Sequence, residues 1–416
     1  MTIRNIDSQF VFGFFKRGSI VIAVVLLSIM SLESLGFDVA GLIQDSSDDA
    51  KNIKVALVMP FEVARNEELD PANSDGPWIH PFSLPSLHFY EGARLALDSL
   101  DQLGLNCKIT CFEPPTDSVG ITRLINELKR EGFDLLVGSF SEKLLHHVVR
   151  KTEAVGVKLL LTQAMSSEPV KGKGNCALAY ASTATQCSLV VERFKKKYPS
   201  SNFIVIKGKS PREKELADVF RAAASKHHSV KMVDLSVSGV SSVSDGISTS
   251  RQNIVLFVSS EESIVNSGVI TLAKVCPKNT IICGMPTWLN FESIEFLSVK
   301  GVRISLFDNN FIDYESPERA EFRKRFVKTY FDDPLASGYA GFDVFTQILP
   351  LIAKEPKTDL DDLLNNRTEF SGRPFEFKKL LNGGAENHNI TLTFLSDYRV
   401  IDMDDPEFDI DETDSK

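Results

Sequence analysis

Short, continuous apolar runs alternate along this chain with longer stretches of helical periodicity. "KVALVMP" (Lys54–Pro60) is apolar throughout and ends in proline, as a strand buried on both faces does. "SLHFYEGARLALDSLDQLG" follows after a polar stretch. Its Phe89, Ala93, Ala96, Leu97 and Leu100 fall on one face of a helix, and Gly104 supplies a stop. Then come the strand "CKITCFE", a helix capped by Asp117, the strand "FDLLVG", the helix "SEKLLHHVVRKTEAVG" and the strands "VKLLLT" and "CALAYAS". The pattern restarts at "NFIVIKG" and runs through "VKMVDLSV", "NIVLFVS", "NTIICGM" and "VRISLF", with helices between, among them the short "NFESIEFLS". Strand–helix units in series predict an α/β protein with parallel, doubly wound sheets, and two such sets predict two lobes.

The boundaries follow. Residues 1–50 precede the first strand, and 51–402 hold the two lobes. Lobe 1 is expected over about 51–183 with part of 309–350, and lobe 2 over about 184–308 with part of 350–402. After Asp308 a charged helix and an apolar helix appear. A hairpin is expected around Gly383-Gly384. Residues 403–416 read as an acidic disordered tail.

The N-terminus carries Lys16 and Arg17 ahead of "GSIVIAVVLLSIM" (Gly18–Met30). An apolar run of about a dozen residues suits a signal-peptide core better than a membrane span. Export is the expectation, to the periplasm or the outer face of the membrane, with the segment either cleaved or retained as an anchor. The net charge of −10 leaves no basic surplus for nucleic acid. Cys107 and Cys111 lie four apart on one strand, roughly 13 Å, too far for a disulfide. A Cys276–Cys283 bridge is open to an exported protein.

In open parallel sheets ligands sit beyond the C-terminal ends of the strands. Here those turns hold Gly138-Ser139-Phe140-Ser141, Thr162 to Ser167, Lys207-Gly208-Lys209, Ser259-Ser260-Glu261 and Met285-Pro286-Thr287-Trp288. Hydroxyls and helix N-terminal amides suit a small polar or anionic group. Catalytic motifs are lacking: "VGSFSE" is not a Gly-x-Ser-x-Gly elbow. Neither Walker A nor Gly-x-Gly-x-x-Gly is present, so no nucleotide cofactor is expected. The pairs His146-His147 and His227-His228 lack ligand spacing, so no metal is expected.

With these parts in order, the chain over about Lys51 to Tyr398 resembles the type I periplasmic binding protein superfamily. The resemblance rests on "FYEGARLALDSL", "LLVGSFSEKLLHHVVRKTEAVGVKLLLT", "VITLAKVCPKNTIICGMPTWLNF" and "GYAGFDVFTQILPLI". Within it, the chain looks most like the envelope subgroup related to activators of penicillin-binding proteins. The resemblance implies a non-enzymatic protein of two lobes, joined by a multi-strand hinge of three crossovers and closing on a solute. It implies ligand contacts at Ser139, Ser141, Ala164, Ser166, Lys207, Glu261, Met285 and Trp288. The expected ligand is a small polar or anionic solute (an amino acid, amide or peptide-like molecule), and of these contacts Glu261 comes from strand-end position rather than from the resemblance. The implied partner is a membrane permease or, alternatively, a cell-wall synthase. One departure stands out: where the amino-acid receptors carry an Asp and a Tyr-Gly pair, this chain has "KGKSPREKE", so Lys207 and Lys209 either meet an acidic ligand or are solvated.

Overall fold

The computed structural model describes residues 52–69, 79–163, 166–226, 230–292, 302–365, 375–396 and 399–404. The expected signal segment, the acidic stretch beyond 404, Ala164, the expected helix "NFESIEFLS" from Ser293 onward and the pair His227-His228 lie outside them. By internal contacts the chain forms two units. One comprises the chain up to Tyr180 and Ile312–Asn387, the other Ala181–Phe311 and the chain from His388.

Unit 1 begins with β1 (Asn52–Val58), the short helix α1 (Val63–Glu67), α2 (Leu84–Asp101) and β2 (Asn106–Phe112). It continues through α3 (Ser118–Glu131), β3 (Leu135–Gly138), α4 (Leu145–Val155), β4 (Lys158–Leu161) and β5 (Cys176–Leu178). Unit 2 contributes α5 (Thr183–Lys197), β6 (Asn202–Lys207), α6 (Pro211–Ser225), β7 (Lys231–Asp234), β8 (Asn253–Val258), α7 (Glu262–Val275), β9 (Thr280–Gly284) and β10 (Arg303–Asp308). The chain then re-enters unit 1 with α8 (Pro317–Tyr330), α9 (Ala336–Lys354), α10 (Leu360–Leu364), β11 (Phe377–Lys379) and β12 (Ala385–Asn387). It ends in unit 2 with β13 (Thr391–Ser396) and β14 (Arg399–Asp402).

Each unit holds one seven-stranded sheet, ordered β11-β12-β5-β4-β3-β1-β2 in unit 1 and β14-β13-β10-β9-β8-β6-β7 in unit 2. The pairs from β2 to β12 and from β7 to β10 are parallel, while β11, β13 and β14 run antiparallel to their neighbours. This is the two-lobed α/β arrangement expected, with antiparallel additions at one edge of each sheet. The stretch 350–387 differs from its expected place partly in lobe 2. Its β12 pairs with β5 and β11 with β12, so it completes the first sheet.

Both faces of each sheet are covered, which is why the strands read as unbroken apolar runs. In β1, Val55 and Leu57 enter one core while Ala56 and Val58 enter the other. In β6, Phe203 and Val205 alternate with Ile204 and Ile206 in the same way. Local signals start and stop the helices. Asp117 accepts the Gly120 amide at 2.7 Å to cap α3, and Gly132 ends it in the left-handed region at φ 69°. All six cysteines are free thiols. Burial pushes Cys107 and Cys111 up to about 12, so they are packing residues. Among the described residues no helix is long and apolar enough to cross a membrane, and no cluster suits a metal ion.

Candidate functional site

Strand order locates the two candidate sites. In unit 1 the chain steps from β1 to β2 on one side and to β3 on the other. In unit 2 it steps from β6 to β7 and then to β8. The connections therefore diverge between β1 and β3, and between β6 and β8. At such a switch point the chain ends leave a crevice beyond the carboxyl ends of the strands.

In unit 1, β3 ends at Gly138 and the Ser139 amide donates to the Val58 carbonyl at 2.9 Å, closing the ladder with β1. The Ser139 hydroxyl turns along the strand ends and donates to Gln163 Oε1 at 3.0 Å, tying the turn after β3 to that after β4. The Gln163 amide nitrogen makes no bond to another described residue. Ser141 is exposed; its carbonyl accepts the Leu144 amide at 2.8 Å, and its hydroxyl has no described partner. The Ser166 hydroxyl accepts the Glu168 amide at 3.2 Å and so organises its own turn. Past β1, Glu62 holds a left-handed backbone at φ 54° ahead of α1. Asn66 there donates to the Phe61 and Glu62 carbonyls and to the Ser83 hydroxyl. Glu113, after β2, accepts the Val63 amide at 3.2 Å; burial nonetheless leaves its carboxyl above the ordinary value. The face thus offers hydroxyl and amide groups at β3 and β4 and carboxylates at β1 and β2.

Unit 2 is built differently. Lys207 Nζ is paired with Asp218 of α6 at 3.0 Å. Glu261 accepts the Ser263 hydroxyl at 3.0 Å and its amide donates to Ser259 Oγ at 3.3 Å, so it shapes the start of α7. Met285 is half-buried against both cores of the unit. Trp288 corrects the expectation of a ligand contact: its side chain is wholly buried, edge-on to Phe257 at 5.6 Å. Its indole N–H donates to the Ser259 carbonyl at 2.7 Å. The physical reason is Gly284, where an added Cβ would lie 2.3 Å from the indole ring; its bareness lets the ring fold back onto β9.

The residue missed in the sequence is Glu213. It lies in the first turn of α6, and its carboxylate takes the Ser210 amide at 2.9 Å, the Ser260 amide at 2.8 Å and the Ser259 hydroxyl at 3.2 Å. Burial raises its pKa, but these hydrogen bonds outweigh it and hold the carboxyl below the ordinary value. The signal was in view: "SPRE" is a Ser-x-x-Glu capping box.

A cavity of about 560 Å³ lies elsewhere, at the N-terminal ends of β1 and β2, between Lys54, Arg94, Asp98 and Lys108. It is at the wrong end of the strands for a switch-point ligand and is lined by exposed side chains of both charges.

No protein-family model matches the sequence, and no curated protein matches it significantly. Solved structures do resemble the fold. A Rhodospirillum rubrum protein, assigned but not demonstrated as a branched-chain amino acid ABC transporter, aligns with a TM-score of 0.61 at 14% identity over 85% of this chain and 100% of its own. An ABC transporter substrate-binding protein of Desulfitobacterium hafniense, solved with Leu, gives 0.53 at 12% over 85% and 100%. The C-domain of LpoA from Haemophilus influenzae, a regulator of PBP1A, gives 0.55 at 12% over 84% and 99%. The chain has the type I periplasmic-binding-protein fold.

Proposed function

We propose that the protein is an exported, non-enzymatic binding protein that captures a small polar solute, an amino acid, amide or peptide-like molecule, and passes it to a membrane permease. Unit 1 carries the proposed contacts in this reading. The observation that carries it is the Ser139–Gln163 bridge across the ends of β3 and β4. It holds a hydroxyl and an amide past the ends of β3 and β4, on the turn that also carries Ser141, whose hydroxyl has no partner among the described residues. Ser139, Ser141 and Ser166 are the proposed contacts, with Ala164 retained as an expectation and Gln163 added. The ABC substrate-binding proteins of the same fold support the class of function, and hydroxyl and amide groups suit a small polar ligand.

The experiment is native mass spectrometry on protein purified gently from its host. It is followed by isothermal titration with any solute that co-purifies, comparing wild type with Ser139→Ala. Loss of one neutral hydrogen bond is expected to weaken binding by up to about tenfold. An unchanged affinity removes Ser139 from the site.

A second reading has its own support. The LpoA C-domain has the same fold and regulates PBP1A, a protein partner. In this reading the chain regulates cell-wall synthesis through protein contacts at the envelope. In-cell crosslinking that recovers a synthase, from a protein that binds no solute, decides for it.

A further inference from the structure

A second crevice lies past the ends of β6 and β8, where the chain's connections diverge. The N-terminus of the fifteen-residue helix α6 points at it, a place where backbone N–H groups and the helix dipole favour an anion. A carboxylate is already there. Glu213 Oε2 accepts the Ser210 amide from the β6–α6 turn, while Oε1 accepts the Ser260 amide and the Ser259 hydroxyl from the turn after β8. A capping box needs only the first of these bonds. The other two reach to the neighbouring strand, so donors from two strand ends converge on one carboxylate, the arrangement that holds a bound anion. Gly208, buried at the end of β6, makes room for it: a Cβ there would lie 2.5 Å from Glu213 Oε2 and 2.5 Å from the Val258 carbonyl. The nearby cation does not join the cluster, since Lys207 is paired with Asp218.

We propose that Glu213 is a resident anion that fills the anion cradle of unit 2 with the chain's own carboxylate, and that it is a specificity-determining residue. With that place taken, unit 2 rejects the carboxylate or phosphate of a ligand and meets only a neutral or cationic face. The consequence for ligand choice rests on the solute-binding reading; the occupancy of the cradle does not.

The test uses acetate as the probe and the full chain as the protein. Glu213→Ala removes the carboxylate and leaves its donors. In the variant, acetate is expected to raise the melting temperature saturably, by about 2–4 °C at ten times its dissociation constant, over a matched chloride control. Acetamide, similar in size but neutral, is expected to do nothing, and wild type is expected to show no acetate response. A folded variant indifferent to acetate overturns the proposal, as does a wild type that responds equally. If Glu213→Ala does not fold, carbon-detected NMR of wild type decides, with Glu213→Gln identifying the resonance. A Glu213 carboxyl titrating below the ordinary glutamate value supports the resident anion, and one at or above that value overturns it. No solute enters these measurements, so their failure leaves the proposed function standing. Equally, a chain that binds no solute still answers to acetate.

Discussion

The two units use the same topology to make the same kind of place, and fill it in opposite ways. In unit 1 the turns after β3 and β4 present side chains with bonds to spare among the described residues: Ser141, and the amide nitrogen of Gln163. Between β6 and β8 every group in the cradle is engaged, because Glu213 takes two amides and a hydroxyl. Strand order decides where a crevice forms, but not whether it is vacant. That is set by one side chain three residues into the following helix. A fold likeness at 12–14% identity carries the crevice and says nothing of its contents.

The largest expected effect comes from removing the post that holds the unit 2 turns together. Trp288 links the turn after β9 to the Ser259 carbonyl and fills the core behind them. Trp288→Ala is expected to cost about 3–5 kcal/mol. Native-state hydrogen exchange gives the readout: amides of β8 and β9 lose protection, while those of β3 and β4 keep theirs. Equal loss in both sheets would mean that the units do not unfold separately and the comparison fails. A smaller change sharpens it. Gly208→Ala places a methyl on the Glu213 carboxylate, and overpacking of this kind costs about 1–3 kcal/mol. Denaturant melts should show a smaller loss in a Glu213→Ala background, where only the Val258 carbonyl, 2.5 Å from the added Cβ, still crowds it.

Acid should move the two units in opposite directions. In unit 1, burial and then the neighbouring charge of Asp332 push Glu91 up to about 7. A carboxyl raised on folding contributes stability at pH below its unfolded value of 4.5, and that contribution is lost as pH rises toward 7. Glu213 has the reverse sign. Its folded value is lowered, so its contribution is present above the unfolded value and is lost as pH falls through the folded one. Hydrogen exchange between pH 4.5 and 7 should show α2 weakening toward neutral. Below pH 4.5 the α6 start and the turn after β8 should weaken. Glu91→Gln and Glu213→Gln should each flatten one arm alone.

Much of the fold was legible because burial on both faces writes strands as solid apolar runs, and Asp117 and Gly132 mark the ends of α3 by chemistry that needs no tertiary context. The placement of 350–387 was not legible. Whether β12 joins one sheet or the other depends on pairing with β5, a contact more than two hundred residues away in sequence. At the candidate sites, strand-end position points to Ser139 and its turn, the contacts put forward in the proposed function. It misjudged Trp288, because an aromatic after a strand reads the same whether it projects or folds back over a glycine. It passed over Glu213, because a capping box is a local signal, and only β8, brought alongside by the sheet, turns that cap into an anion cradle.

The smallest effect probes Lys207, which the sequence leaves open as either a contact for an acidic ligand or a solvated side chain. Lys207 and Asp218 form a pair at 3.0 Å, and the Asp218 side chain is 48% exposed, so solvent screens the attraction. Lys207→Ala is expected to change stability by less than about 1 kcal/mol. It is also expected to leave solute affinity unchanged, because the ammonium is engaged with α6 and the anion place beside it is already occupied by Glu213. Titration calorimetry of the variant with the co-purified solute gives the answer. A loss of tenfold or more would mean that Lys207 leaves Asp218 to meet the ligand, and that unit 2, despite its resident carboxylate, takes part in binding an anion.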